Sequence, residues 1–245
     1  MGIGYEFMQQ TRYEHLLPSD QSRGVPQPPV EIDLGLDAPE IPLPDPARLE
    51  LGALSVHEAI ARRQSLRKYS DTPLSREDLS FLLWATQGVK RVAPGIATLR
   101  TVPSAGARHA LETFVLASRV QGVEPGMYRY LALRHALAAR DTSTDVARRA
   151  VQGCLNQQFV ASSAATFIWT AVPYRMTWRY GERGYRYLHL DVGHVCQNLY
   201  LAAESIGCGV CAIAAFDDDA MNRLVGADGE RLFVIYAATA GHRMA

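Results

Sequence analysis

The run Arg63-Gln64-Ser65-Leu66-Arg67-Lys68-Tyr69 packs guanidinium, hydroxyl and ammonium donors into one short stretch. A guanidinium stays protonated at every relevant pH and presents a planar fork that matches phosphate or carboxylate oxygens. Arg63 and Arg67, with the Ser65 hydroxyl between them, therefore form a candidate phosphate cradle. Arg243, in Gly241-His242-Arg243 at the far end of the chain, is placed to close it. The plainer alternative is a solvated basic turn. Formal net charge is zero, so the chain lacks the long-range field that would draw it onto nucleic acid or an anionic membrane, and any anion site must be local.

A second candidate is Arg179-Tyr180-Gly181-Glu182-Arg183-Gly184-Tyr185-Arg186-Tyr187, where arginines alternate with aromatic rings. Such a run is either a reacting site or a helix start with stacked surface side chains. Cys208-Gly209-Val210-Cys211 has CxxC spacing, but no second Cys or Cys/His pair completes four metal ligands. Its small apolar neighbours favour a buried strand, with a redox pair next and zinc last. His189 and His194 lie in a helical pattern without HExxH spacing and read as satisfied core histidines, so no metal is assigned. Neither GxGxxG nor GxxxxGK[ST] occurs, which removes the Rossmann and P-loop signals.

These residues must be carried by recognisable elements. Ser55-Val56-His57-Glu58 and Ser75-Arg76-Glu77-Asp78 are capping boxes that open two helices bracketing the basic turn, with Gly88 as the C-cap of the second. Residues 112–120 and 127–130 have strand character, 144–155 reads as a helix, and the apolar run 164–172 predicts a central strand buried on both faces. Leu188, Val192, Val195, Leu199 and Ala203 recur at helical spacing through 187–206, predicting the core helix. Strands follow at 210–214 and 232–239, with a helix at 218–225 between them. Residues 18–46 hold eight of the thirteen prolines and no sustained period, predicting an extended arm. The expected organisation is an arm over 1–50 and one domain over 51–245 with an α+β fold and a mixed or antiparallel sheet.

Arg62-Arg63-Gln64-Ser65-Leu66-Arg67 resembles the opening motif of the nitroreductase family, flavoenzymes that hold FMN between two subunits. Pro103-Ser104-Ala105-Gly106-Ala107-Arg108, the stretch Asp191 to Leu199, and Ile213-Ala214-Ala215-Phe216-Asp217 agree with it in order, over about residues 55–243. Within that family the chain is most similar to the SagB-type dehydrogenases, whose azoline oxidases use a Lys-Tyr pair where Arg179-Tyr180 stands here. The resemblance implies a nitroreductase-like sheet flanked by helices in a domain-entwined homodimer. It implies that Arg63, Ser65, Arg67 and Arg243 hold the FMN phosphate and ribityl chain, and that Gln64 meets the flavin ring. Pro103, Ser104, Ala105 and Gly106 would lie against the flavin from the opposite subunit, and the amides of Ala214 and Ala215 would meet its N5.

For activity, the resemblance implies oxidation of a thiazoline, oxazoline or similar heterocycle to an azole, on a small molecule or a modified peptide. Arg179 would position the substrate; since arginine cannot release its proton, Tyr180 would be the proton carrier. A biosynthetic partner enzyme is compatible with that role. The alternatives are an NAD(P)H-dependent nitroreductase or quinone reductase and a flavin-free scaffold protein. The N-terminal residues Met1 to Thr11 lack a basic start followed by an apolar stretch, so a cytoplasmic protein with no membrane segment is expected.

Overall fold

The apolar runs and alternating segments assemble into one seven-stranded sheet, described in a computed structural model covering residues 2–35, 39–49, 54–93 and 97–244. In chain order the elements are α1 (Ile3–Gln10), β1 (Glu40–Pro42), α2 (Val56–Arg62), α3 (Arg76–Gln87), β2 (Val89–Ala93), β3 (Ala97–Arg100), β4 (Leu111–Ala117), β5 (Gly126–Leu131) and β6 (Ala136–Asp141). There follow α4 (Val146–Gly153), α5 (Phe159–Ser162), β7 (Ala165–Ala171), α6 (Pro173–Tyr180), α7 (Gly184–Ser205), β8 (Cys208–Ile213), α8 (Asp218–Val225) and β9 (Phe233–His242). The strand order is β1-β6-β5-β4-β7-β9-β8, and every pairing in it is antiparallel. The α+β expectation holds, with the sheet resolved as antiparallel.

Strand β7 is interior, and all seven of its residues are buried, as its unbroken apolar run requires. Alternate residues of β4 and β7 face opposite layers. Val115, Phe167 and Trp169 pack with α3, α6 and α7, whereas Phe114, Leu116 and Ile168 pack with α4, α5 and α8. Each large apolar side chain fully withdrawn from water contributes about 1.5–3 kcal/mol, so these two layers carry most of the folding free energy.

Both capping boxes form: Ser55 and Ser75 each accept from the N3 amide, and Glu58 and Asp78 return the bond. Gly88 occupies the C-cap of α3 in an extended conformation, and glycine is needed there for space. A Cβ would sit 2.3 Å from Trp84 Cδ1. Helix α4 is shorter than its pattern suggests because Leu155 and Asn156 take positive φ values of 53° and 61°, which end the α-helix. Strand β8 begins at Cys208 rather than Val210, and β9 continues past Thr239 to His242.

The proline-rich stretch is built into the domain of its own chain. The boundary expected between residues 50 and 51 lies outside the described residues, but β1 pairs with β6 at the sheet edge and α1 folds as a helix. Gln21 N donates to Trp178 O at 2.9 Å, and Trp178 Nε1 donates to Val25 O at 2.9 Å. Further along, the backbone is clasped by buried arginines: Arg175 Nε donates to Pro29 O at 2.8 Å, Arg100 to Val30 O at 3.4 Å and Arg129 to Ile32 O at 2.5 Å.

These arginines surround Glu112, which pairs with Arg175 at 2.5 Å and Arg129 at 3.0 Å, all three side chains at most 5% exposed. Burial pushes the Glu112 carboxyl up, but the charges of Arg175 and Arg129 more than offset it, so the pKa lies below the ordinary carboxylate value. Burial pushes Arg100 down to about 10. Among the described residues no helix is long and apolar enough to cross a membrane.

Removing one member of a buried charge cluster leaves its partners uncompensated, at about 3–5 kcal/mol. Glu112→Gln is expected to lower the urea unfolding free energy by about that amount. Because the folded-state pKa is depressed, the carboxylate's contribution is present above its unfolded pKa and lost as pH falls through the folded one. In wild type this loss on acidification should appear below the ordinary carboxylate range, and in the variant it should be smaller.

Candidate functional site

The basic turn is laid along the free edge of β8. Leu66 N donates to Val210 O at 2.8 Å, Ser70 N donates to His242 O at 3.0 Å, and Ser65 and Tyr69 bridge to Val210 and Arg243. Tyr69 anchors the turn from beneath: its hydroxyl donates to Leu66 O at 2.7 Å and lies 2.7 Å from Thr239 Oγ1, and burial pushes the phenol up. Gly209 is required at the crossing, since a Cβ would come within 2.5 Å of Leu66 Cδ2.

Arg63 and Ser65 meet on Tyr200 of α7. The Arg63 guanidinium lies 5.3 Å from the ring centroid, and the Ser65 and Tyr200 hydroxyls are 3.0 Å apart. Tyr200 also accepts from Ala212 N at 2.9 Å, tying cradle, helix and strand together. Burial pushes the Cys211 thiol up, and the nearby Arg67 charge draws it part of the way back. Neither Arg63 nor Arg67 has a carboxylate partner among the described residues, and Gln64, Ser65 and Arg67 are exposed. Arg243 reaches the same turn through its backbone, but its guanidinium is ion-paired with Glu204 at the end of α7. Its charge is therefore matched inside the chain, unlike those of Arg63 and Arg67.

The second candidate group also assembles. Ser104 to Arg108 form a tight turn in which Gly106 has φ 57°, and the Ala105 amide donates to Asp191 Oδ1 at 3.2 Å. His109 N donates to Ser104 Oγ at 2.8 Å. Arg179 and Tyr180, at the end of α6, close over this turn. A Cβ on Gly106 would meet the Tyr180 hydroxyl oxygen at 2.5 Å and Arg179 Nε at 2.8 Å. Pro103, Gly106 and Arg179 are exposed, while Tyr180 is half-buried with its ring edge on Tyr187 at 4.8 Å between centroids. Behind them, buried Arg108 donates to Gly106 O at 3.1 Å and stacks 5.3 Å over Trp178. Burial raises the Asp191 carboxyl and, together with nearby arginines, lowers His109 to about 3.

The two groups are not brought together within one chain. Tyr200 and Asp191, which anchor them, are nine residues apart on α7, roughly 13 Å along its axis. Ala214 and Ala215 are exposed just beyond β8, where Ala215 O accepts from Gln157 Nε2 at 2.8 Å. Tyr200 lies outside every motif read from the sequence, and Asp191 and Arg108 lie within motifs that gave them no role of their own; all three contact the candidate groups. Tyr200 and Asp191 did carry a signal, because each is a polar group on the apolar stripe of α7 and must find a partner when buried.

His189 and His194 are exposed, not core residues, because the inward stripe of Leu188, Val192, Val195 and Leu199 leaves both on the outer arc of α7. No cluster of metal-ligating residues is found among the described residues. Cys208 and Cys211 are buried and reduced, and their odd spacing on β8 turns them to opposite faces, which rules out a disulfide between them. Burial pushes Cys208 up to about 12.

Comparison with known proteins gives a consistent family. The family model described as "Nitroreductase family" matches residues 60–242. A protein of Methanocaldococcus jannaschii described as a nitroreductase is 37% identical over 189 residues, covering 77% of this chain and 90% of that one. The trifolitoxin-processing protein of Rhizobium leguminosarum bv. trifolii is 33% identical over 133 residues, covering 53% of this chain and 36% of its own length. Among solved structures, a chain of the Escherichia coli microcin synthetase complex, bound to a truncated pro-microcin, matches with a TM-score of 0.63 at 17% identity. That match covers 99% of this chain and 92% of the other, a likeness of fold.

The turn predicts its own sensitivity. Gly106→Ala adds about 1–2 kcal/mol of left-handed backbone strain and forces Tyr180 and Arg179 aside. A lowered melting temperature and a displaced Tyr180 in a crystal structure of the variant are the expected results; unchanged side chains would disprove the contact.

Proposed function

The chain belongs to the nitroreductase family, whose members are oxidoreductases, and on that footing we propose that it is an FMN-dependent dehydrogenase of the SagB-type branch that oxidises an azoline to an azole. The observation that carries this reading is the cradle. Two guanidiniums without carboxylate partners among the described residues flank a serine hydroxyl at the turn along β8, a donor set that suits a phosphate dianion. Arg63, Ser65 and Arg67 would hold the FMN phosphate and ribityl chain, Gln64 would meet the ring, and Arg243 would support the cradle through its backbone and Glu204. The exposed amides after β8, at Ala214 and Ala215, would face N5, where donors stabilise developing negative charge.

Distance along α7 favours two copies. A flavin held by the cradle of one chain would lie against residues 103–106 of a second, with Arg179 and Tyr180 delivered beside it. FMN, when bound, supplies the acceptor for the hydride equivalent that leaves the azoline ring. Tyr180 would relay the ring proton, its hydroxyl releasing one proton to solvent as it takes up the other, held at the turn by its packing on Tyr187 and Gly106. Arg179 stays charged and orients the substrate. Dioxygen or another acceptor would reoxidise the flavin. The trifolitoxin-processing relative and the microcin synthetase likeness support a role on a modified peptide, with a biosynthetic partner enzyme. The archaeal relative described as a nitroreductase supports a second reading in which NAD(P)H reduces the flavin for a nitroaromatic or quinone.

The first test is the visible spectrum of purified protein before and after denaturation, with the released chromophore identified. About one FMN per chain is expected, with little or none in Arg67→Ala. No flavin even after incubation with excess FMN would leave a scaffold as the better reading. Tyr180→Phe should keep its flavin and lose turnover of a thiazoline probe; full turnover would remove Tyr180 from the chemistry. Rapid anaerobic bleaching by NAD(P)H would favour the reductase.

A further inference from the structure

Beyond its stacking on the Tyr180 ring at 5.6 Å, Arg179 carries no hydrogen bond or ion pair among the described residues. Glu182, the nearest acidic residue in sequence, is not paired with it. Its guanidinium is a permanent positive charge, exposed at the turn where its Nε and the Tyr180 hydroxyl converge on the same point beside Gly106.

A second cation stands behind it: the Arg108 guanidinium, stacked on Trp178, is depressed in pKa first by burial and then by the charge of Arg179. Asp191, the carboxyl that touches this turn, accepts from the Ala105 amide at Oδ1, and its Oδ2 is buried without a hydrogen-bond partner among the described residues. The neighbouring arginines are engaged elsewhere. Arg183 donates to Thr11 O and to the Tyr187 hydroxyl, and Arg186 donates to Thr11 Oγ1 and Met8 O, so both hold the N-terminal segment. One free fork beside one phenol suits a single carboxylate on a small ring better than an acidic peptide, which would need several.

Resting on the reading of the site given above, we propose that Arg179 is the specificity contact for a carboxylate that the substrate carries next to its reacting ring, holding that ring over Tyr180. The substrate class is then a heterocyclic carboxylic acid, either a free small molecule or the C-terminal azoline of a peptide, rather than an internal peptide azoline whose neighbouring carbonyl is an amide.

The test is calorimetric titration of the full chain, with and without added FMN, using thiazole-4-carboxylate and thiazole-4-carboxamide. This reads binding without requiring turnover. The carboxylate is expected to bind about tenfold or more tightly than the amide, with the preference weakened by salt, lost in Arg179→Met and largely retained in Arg179→Lys. Equal binding of the two, no binding of either, or a carboxylate preference unchanged in Arg179→Met would overturn the proposal. A parallel assay compares 2-phenylthiazoline-4-carboxylate with its carboxamide. Preference for the acid should lie in KM rather than kcat. If the acid preference in binding is present but neither thiazoline is oxidised, azoline oxidation fails and the Arg179 contact stands. If both are oxidised with equal kcat/KM, the contact fails and the oxidation stands.

Discussion

The length of α7 constrains everything else in this molecule. Its 22 residues run as one buried stripe across the sheet, and the polar interruptions of that stripe are the anchors of both candidate sites. Tyr200 ties the cradle to the edge of β8, and Asp191 holds the amide of the 105 turn. Because a helix advances about 1.5 Å per residue, no local rearrangement brings these anchors together. The two candidate groups are anchored at separate stretches of one rigid rod.

The N-terminal segment depends on a different interaction, the charge cluster at Glu112. Arg175 and Arg129 match its carboxylate, and the donors left over on these arginines and on Arg100 find carbonyl oxygens at Pro29, Val30 and Ile32. A buried guanidinium N–H is costly to leave unpaired, so a proline-rich segment with few amides of its own to donate is well suited to supply acceptors, although Arg129 Nε finds none among the described residues. The same residues that lack any helical or strand period are thereby fixed in place. The segment also brings Tyr13 and Thr11 onto α7 beside Tyr187 and Arg183, next to the 179–180 pair.

Elements that bury a continuous apolar stripe or run were legible, among them α7, β7 and the two helices opened by capping boxes. Elements stabilised by partners distant in sequence were not. Strand β1 exists because β6 offers it hydrogen bonds, and β6 itself, Ala136–Asp141, carries no strong alternation. Helix α6 was not legible: only its last two residues, Arg179 and Tyr180, belong to the aromatic and arginine run, and its apolar contacts, Met176 and Trp178, are spaced among arginines and tyrosines. The histidines of α7 were misplaced because residue type suggested burial, whereas the helical period sends both to the outer arc. The CxxC reading was settled by pleat: three residues along a strand is an odd step.

The sequence by itself determined the family, the α+β class, the basic turn with its serine, and the glycine-containing turn, because each rests on residues close together in the chain. Tertiary structure alone decided the rest. It gave Arg243 to Glu204 while leaving Arg63, Arg67 and Arg179 without acidic partners among the described residues, set Tyr180 over Gly106, and separated basic turn from glycine turn along α7. Whether an arginine's charge is matched depends on which carboxylate the fold delivers to within a few ångströms of it, and a linear sequence carries no such distance.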